Sequence, residues 1–360
     1  MEKDDFVISM RSFQGGIERA WASGAIRSSY VVLKPEHNVD IGFFAYLFKS
    51  HSYIRALQAT SDFIRDGQDL NFSNFCGVDL PAVPLVEQAA IVRFLDWANG
   101  RLERAIRAKR KVIALLNEQK QAIIHHAVTR GLDPSVPLKP SGIPWLGDIP
   151  QHWGQRRLKW VLRLQRGFDL PADRRKTGSV PVYSSGGHID NHNVALANPP
   201  GIVIGRYGST DAVFFVTQPY WPHNTALFTT TLYDNNARWC FYLLRSFSKG
   251  AHSGKSAVPG VDRKDLFDIT VPRPPIAEQS ALAAVIDKQL AEFDQSIASI
   301  TKEIELLREY RTRLVVDVVT GKLDVRETAP HLPEEAVPEP AEADADLSLD
   351  SEAAEEEAVA

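Results

Sequence analysis

The run Arg206-Tyr207-Gly208-Ser209 follows a β-type stretch, Gly201-Ile202-Val203-Ile204-Gly205, and brings together a guanidinium, an aromatic ring and a hydroxyl. An Arg fork matches the paired acceptors of a guanine edge or a phosphate, and the small neighbours permit close approach, so this set suits contact with DNA. The same residues also fit a plain surface turn with a solvated Arg. Ser184, Ser185, His188, Lys255 and Ser256 are further polar loop candidates. Arg11, Ser12 and Gln68 hold comparable places near the amino terminus.

Catalytic chemistry finds less support. Asn198-Pro199-Pro200 resembles the start of an Asn-Pro-Pro-aromatic signature that grips a flipped adenine, but the fourth residue is Gly201, so the stacking ring is missing. A Pro-containing turn ahead of the strand is the simpler reading. His188 and His192 have a spacing compatible with metal ligation, yet sit in a polar stretch with neither cysteine near. Gly186-Gly187 lacks the Lys-Ser/Thr of a phosphate-cradling loop. The expectation is a chain without catalysis, metal or cofactor of its own.

The elements that must position these residues are organised by a repeat. Residues 81–133 and 272–324 align without a gap at an offset of 191, with 16 of 53 positions identical. Each copy opens on Pro-x-x-Pro-x-x-Glu-Gln: Pro81, Pro84, Glu87 and Gln88, then Pro272, Pro275, Glu278 and Gln279. Each closes on Val-Thr followed by Leu-Asp, at Val128, Thr129, Leu132 and Asp133 and at Val319, Thr320, Leu323 and Asp324. Between them apolar residues recur at alternating steps of four and three: Leu102, Ile106, Ile113, Leu116, Ile123 and Ala127; then Phe293, Ile297, Ile300, Ile304, Leu307, Leu314 and Val318. That period predicts two long helices packed as an antiparallel coiled coil, with Lys109, Lys120 and Arg311 as polar residues in the seam. Pro just before the first turn and Glu just inside it are helix-start signals.

Upstream the repeat continues more loosely. The run 5–16 has the form of 201–209, and Phe44–Lys49 matches Cys240–Arg245 at an offset of 196. Residues 1–80 therefore read as a partial copy of the globular domain at 151–271, in which short β-branched and aromatic runs alternate with turns around one amphipathic helix near 238–247. The plan is α+β: 1–80 partial first domain, 81–133 first long helix, 134–150 a Pro/Gly-rich linker, 151–271 second domain, 272–326 second long helix, 327–360 a tail. Two heads separated by paired helices would hold two similar binding surfaces at a set distance.

Charge divides the chain further. Residues 327–360 carry 12 acidic residues and no Lys or Arg, so a net charge of -4 hides a body with 33 acidic against 41 basic residues. The Pro/Ala/Glu-rich tail is expected to be disordered, and the body, at +8, suits a polyanion partner. Two cysteines, Cys76 and Cys240, cannot build a disulfide framework and fit a reducing cytoplasm. No apolar run approaches a membrane span.

Taken together, the two Pro-x-x-Glu-Gln starts, the two Val-Thr-x-x-Leu-Asp ends, the link Ser141-Gly142-Ile143-Pro144-Trp145-Leu146-Gly147-Asp148-Ile149-Pro150-Gln151-His152-Trp153 and Arg206-Tyr207-Gly208-Ser209 resemble the specificity subunit of a type I restriction-modification system. The resemblance implies two mostly-β α+β target-recognition domains, the first shortened at its amino terminus, each reading half of a bipartite double-stranded DNA site. It implies no catalysis by this chain. Two modification (methyltransferase) subunits and the restriction (translocase/nuclease) subunits would be its partners, and S-adenosylmethionine, ATP and magnesium would be bound there. Pro84, Glu87, Gln88, Pro275, Glu278 and Gln279 would lie where the modification subunits dock. The alternatives are a coiled-coil spacer whose heads bind other proteins, or an inactive remnant of such a subunit.

Overall fold

The computed structural model describes residues 1–9, 17–27, 30–60, 75–207, 211–247 and 260–333. The chain divides into two compact units, residues 1–109 with 302–360, and residues 110–301. The fold is α+β, and each unit contains a head and a stretch of each long helix.

In the first unit, strands β1 (Phe6–Ser9), β2 (Glu18–Arg19) and β3 (Tyr30–Leu33) form an antiparallel sheet in the order β2-β1-β3. Helices α1 (Ile41–Lys49) and α2 (His51–Ala59) follow. Phe6, Ile8, Ile17, Phe48, Tyr53 and Leu57 fill the space between sheet and helices. The long helix α3 begins here and runs Leu85–Arg130; the second long helix, α6, spans Ile276–Val319 and ends in this unit. Ile91, Leu95 and Ala98 of α3 pack with Leu314, Val318 and Val319 of α6 and with Phe43 and Leu47 of α1. The pairing is antiparallel, since Glu103 is ion-paired with Arg311 and Lys109 with Glu303.

The second unit has the larger head. A hairpin of β4 (Leu138–Pro140) and β5 (Asp148–Pro150) lies inside the Pro/Gly-rich stretch read as a linker. Leu146, Ile149 and Trp153 bury into the main core, which Pro and Gly composition alone conceals. Strands β6 (Gly154–Arg157) and β14 (Thr270–Arg273) pair at the base. The central sheet runs β11-β10-β13-β7, from β7 (Arg163–Arg166), β10 (Gly201–Gly205), β11 (Val213–Val216) and β13 (Ala226–Thr231). A smaller sheet, β12-β8-β9, joins β8 (Val180–Ser184), β9 (Gly187–His192) and β12 (Trp221–Pro222).

Alternation along β10 explains the layering, because successive side chains point to opposite faces. Ile202 and Ile204 meet the amphipathic helix α4 (Ala237–Arg245), whose Trp239 to Leu244 are all buried. Val203 faces the other way, onto Tyr220, Ala226 and Phe228. A strand buried on both faces reads as a continuous apolar run, as Ile202-Val203-Ile204 does. A short helix, α5 (Arg263–Phe267), closes the head. Ile124, Ala127 and Val128 of α3 pack in the same core as Leu282, Ile286 and Leu290 of α6, and Lys120 is ion-paired with Asp294.

Both long helices stop on a glycine in the left-handed region, Gly131 (φ 78°) and Gly321 (φ 73°). The seam positions read from the heptad are buried or half-buried along both helices. Lys109, Lys120 and Arg311 do not leave the seam open, because each is satisfied by an acid of the other helix. The tail was expected from residue 327, but the ordered chain continues past it: Ala329–His331 form a 3₁₀ turn and Ala329 is buried. Residues 334–360 lie outside the described residues.

Candidate nucleic-acid interface

In the second head the ends of β10, β8 and β12 converge on Thr225. Its carbonyl accepts the Arg206 amide at 3.1 Å. Its hydroxyl accepts the Ser185 amide at 3.3 Å and pairs with His223 Nδ1 at 3.0 Å. The His223 amide in turn donates to Tyr183 O, at the end of β8, at 2.8 Å. Through its backbone and its side chain, this one residue thus ties its own loop to the segments that follow β10 and β8. Burial, and then the nearby Arg175 charge, hold the His223 imidazole below its ordinary pKa, so it favours the neutral form.

Arg206 and Tyr207 form one object on this surface. The guanidinium carbon lies 4.5 Å from the Tyr207 ring centroid, and Tyr207 is 44% exposed. Stacking on a ring stiffens the Arg while leaving its in-plane donors pointed outward. Gly260 pairs with Tyr207, and a Cβ there would sit 3.1 Å from the ring, so a larger residue would press the tyrosine outward. Behind Arg206, the Val261 amide donates to its carbonyl at 2.8 Å. The groups displayed are a flat cation, a phenol and an imidazole, which match the acceptors of base edges and phosphates.

His188 lies on strand β9 rather than in a loop, exposed, with Nε2 3.2 Å from Asn191 Oδ1. His192 on the same strand is buried, and its Nδ1 accepts the Lys176 amide at 3.0 Å, so the two imidazoles serve different ends. Among the described residues no group of three or more His, Cys, Asp or Glu gathers at a metal-sized site. Burial pushes the Cys240 thiol well above its usual pKa, which makes it a packing residue. Ser209, Lys255, Ser256, Arg11, Ser12 and Gln68 lie outside the described residues. His223 and Thr225 escaped the sequence reading; the polar His-Asn-Thr between the runs Tyr220-Trp221 and Ala226–Thr229 was the available signal.

The head carrying this surface lies within residues 150–306, which match the family model of the type I restriction modification DNA specificity domain. Over 82% of the chain, at 24% identity, it aligns with 71% of a Methanocaldococcus jannaschii protein provisionally named type I restriction enzyme MjaX specificity subunit. Residues 150–306 thus match a type I restriction modification DNA specificity domain, and the chain around them is similar to specificity subunits of such systems. The Escherichia coli type I restriction enzyme EcoBI specificity subunit is 24% identical over 41% of the chain and 31% of its own length. A chain from a structural study of complex assembly and conformational transition of the type I R-M system shares the fold, with a TM-score of 0.67 at 14% identity, covering 90% of this chain and 83% of that one.

The second group of candidates lies at the helix starts. Pro84 O accepts the Glu87 and Gln88 amides, and Pro275 O accepts the Gln279 amide, so each proline closes its helix's first turn. Gln88 and Gln279 are 4% and 1% exposed, so their side chains are spent on contacts inside the fold. Gln88 accepts the Asp40 amide at 2.8 Å and donates to Val83 O at 2.7 Å. Gln279 accepts the Asn236 amide at 2.9 Å and donates to Pro274 O and Asn235 Oδ1, both at 3.0 Å. Asp40 and Asn236 are the N-caps of α1 and α4, so each Gln fastens a head helix to the start of a long helix.

Glu87 and Glu278 stay at the surface, beside Arg326 at 4.0 Å and His152 at 2.9 Å. In the first unit, Pro84, Val86, Glu87, Ala89, Arg93 and Pro330 line an apolar groove of about 480 Å³, and Val86 is 86% exposed.

Proposed function

We propose that this chain is the DNA-reading component of a type I restriction-modification complex, acting without catalysis of its own. Its second head reads one half of a bipartite duplex site through the Thr225-centred surface, and its first head reads the other. The observation that carries this reading is the joining of Arg206, Tyr207, Ser185 and His223 at one strand-end rim, inside the matched specificity domain. Arg206, stiffened on Tyr207, supplies the bidentate fork for a guanine edge, worth about 1–3 kcal/mol of discrimination.

Modification subunits are the proposed occupants of the exposed helix starts, with Glu87, Glu278 and the groove beside Val86 as contact surface, and restriction subunits join through them. S-adenosylmethionine, ATP and magnesium belong to those partners. Supporting this docking is the exposed apolar lining at Pro84 and Val86, in a family whose solved relative comes from a study of complex assembly. The test is co-expression with the partner methyltransferase, followed by a map of methylated adenines. A motif with two fixed blocks and a variable spacer is expected, and Arg206→Ala relaxes one block. Methylation without a motif, or a motif that Arg206→Ala leaves unchanged, overturns the assignment.

A further inference from the structure

Beyond the rim, the second head carries a separate polar groove of about 480 Å³ lined by Arg163, Gln165, Thr230, Thr231, Arg263 and Lys264. It lies along the edge strand β7 and the end of β13, against helix α5. The register places it at the far end of the sheet from Arg206: Gly205 pairs with Ala226, whereas Thr231 pairs with Arg163. Five residues of strand separate the two, about 16 Å, comparable with the rise of roughly five base pairs.

The lining is rich in donors and contains no carboxylate. Nearby cations show what an available acid does: Arg157 and Lys159 both reach Asp268, at 3.2 and 3.5 Å. Among the described residues no acid lies within ion-pair distance of Arg163, Arg263 or Lys264. Asp262, adjacent in sequence, is engaged as the cap of α5 and accepts the Lys264 amide at 2.9 Å. Arg163 is held in place, with its Nε donating to the Tyr233 hydroxyl at 3.2 Å and its guanidinium 5.9 Å from the Phe267 ring centroid. An orienting ring and hydroxyl beneath an unneutralised cation, beside two exposed threonines, form a place for an oxyanion with diffuse charge.

We propose that this groove clamps backbone phosphates of the duplex, outside the base pairs that the Arg206 rim reads. It rests on the DNA-reading assignment above and adds a positioning contact indifferent to base sequence. Such a contact fixes the register of the head on DNA while carrying none of its specificity.

The experiment is an anisotropy titration of the full chain, with its modification subunits, against a cognate and a scrambled duplex at several salt concentrations. Each lost phosphate contact lowers the slope of log affinity against log salt by about 0.9. For Arg263→Gln/Lys264→Gln the slope is expected to fall by about 1–2, with affinity at physiological salt dropping roughly ten- to thirty-fold for both duplexes alike. Arg206→Ala, in contrast, is expected to shrink the difference between the duplexes. An unchanged slope in the double variant overturns the clamp, and so does a loss confined to the cognate duplex, which would make the groove a base reader. If the wild-type complex binds neither duplex, the DNA-reading assignment itself fails. Both substituted residues are exposed, so an unchanged thermal midpoint accompanies the expected result.

Discussion

At the start of the first long helix, Gln88 accepts the Asp40 amide at 2.8 Å and Tyr46 donates to Asp96 at 2.6 Å. At the start of the second, Gln279 accepts the Asn236 amide at 2.9 Å and Tyr242 donates to Asp287. These are the same two fastenings, displaced by one repeat, and each locks a nine-residue head helix onto a long one. The heads they hold differ. The three strands β2-β1-β3 have the same neighbours as β11-β10-β13, but only the second head adds β7 and the β12-β8-β9 sheet among the described residues. Mounting and rim are therefore separable: the helix-start fastenings recur in both copies, while among the described residues β8 and β12 of the rim and β7 of the basic groove occur in the larger head alone.

The most damaging way to probe this equivalence is at the helix cores. Leu95 and Ile286 occupy matching repeat positions and are fully buried. Leu95→Ala and Ile286→Ala are each expected to cost about 2–5 kcal/mol, read by hydrogen exchange as lost protection in the unit that carries the substitution. Equal losses in both units from either change would contradict the division into two units.

Next come the glutamine fastenings. Gln279→Ala strands the Asn236 amide, the Pro274 carbonyl and the Asn235 side chain, and is expected to cost about 2–3 kcal/mol. Gln88→Ala strands one fewer partner and is expected to cost about 1–2 kcal/mol. Thermal unfolding of the two variants checks the order, and a cost near zero at both would remove the fastening from the account.

Much of this was legible in the sequence. A gapless repeat and a heptad stripe are one-dimensional patterns, so the two helices and the faces they bury follow from spacing alone. The burial of Gln88 and Gln279 was not legible: a polar residue in a helix's first turn reads as solvated, and only the tertiary approach of the Asp40 and Asn236 amides gives it work inside. Thr225 was hidden for the same reason, because its role is to join loops that are distant in sequence. The hairpin at Leu138–Pro150 was masked by its Pro and Gly content, although Trp153 just beyond it is among the most buried side chains.

The interhelical ion pairs sharpen the comparison at a smaller scale. Glu103 with Arg311 and Asp294 with Lys120 are images of each other under the repeat. All but Lys120 are well exposed, so breaking either pair is expected to cost less than about 1 kcal/mol and the loss should shrink in high salt. The double reversal Glu103→Arg with Arg311→Glu should restore most of it in urea titrations, and no restoration would deny the pairing.

The smallest effect belongs to His223 alone. Its folded pKa lies below the ordinary 6.5, so its contribution is present above pH 6.5 and is lost as pH falls from there through the folded value. His223→Gln is expected to flatten the acid side of the stability profile of the second head. A profile unchanged between pH 7 and 5 would show that the imidazole is not held neutral.

The claim that joins all of these is that the second head reads DNA sequence through Arg206 and its neighbours. Selection of bound duplexes from a random library by the full chain with its modification subunits, then by its Arg206→Ala variant, tests this most directly. The account predicts a defined bipartite motif for the wild type and the loss of base preference in one half for the variant. A library recovered without enrichment, or a motif identical in both proteins, would contradict it.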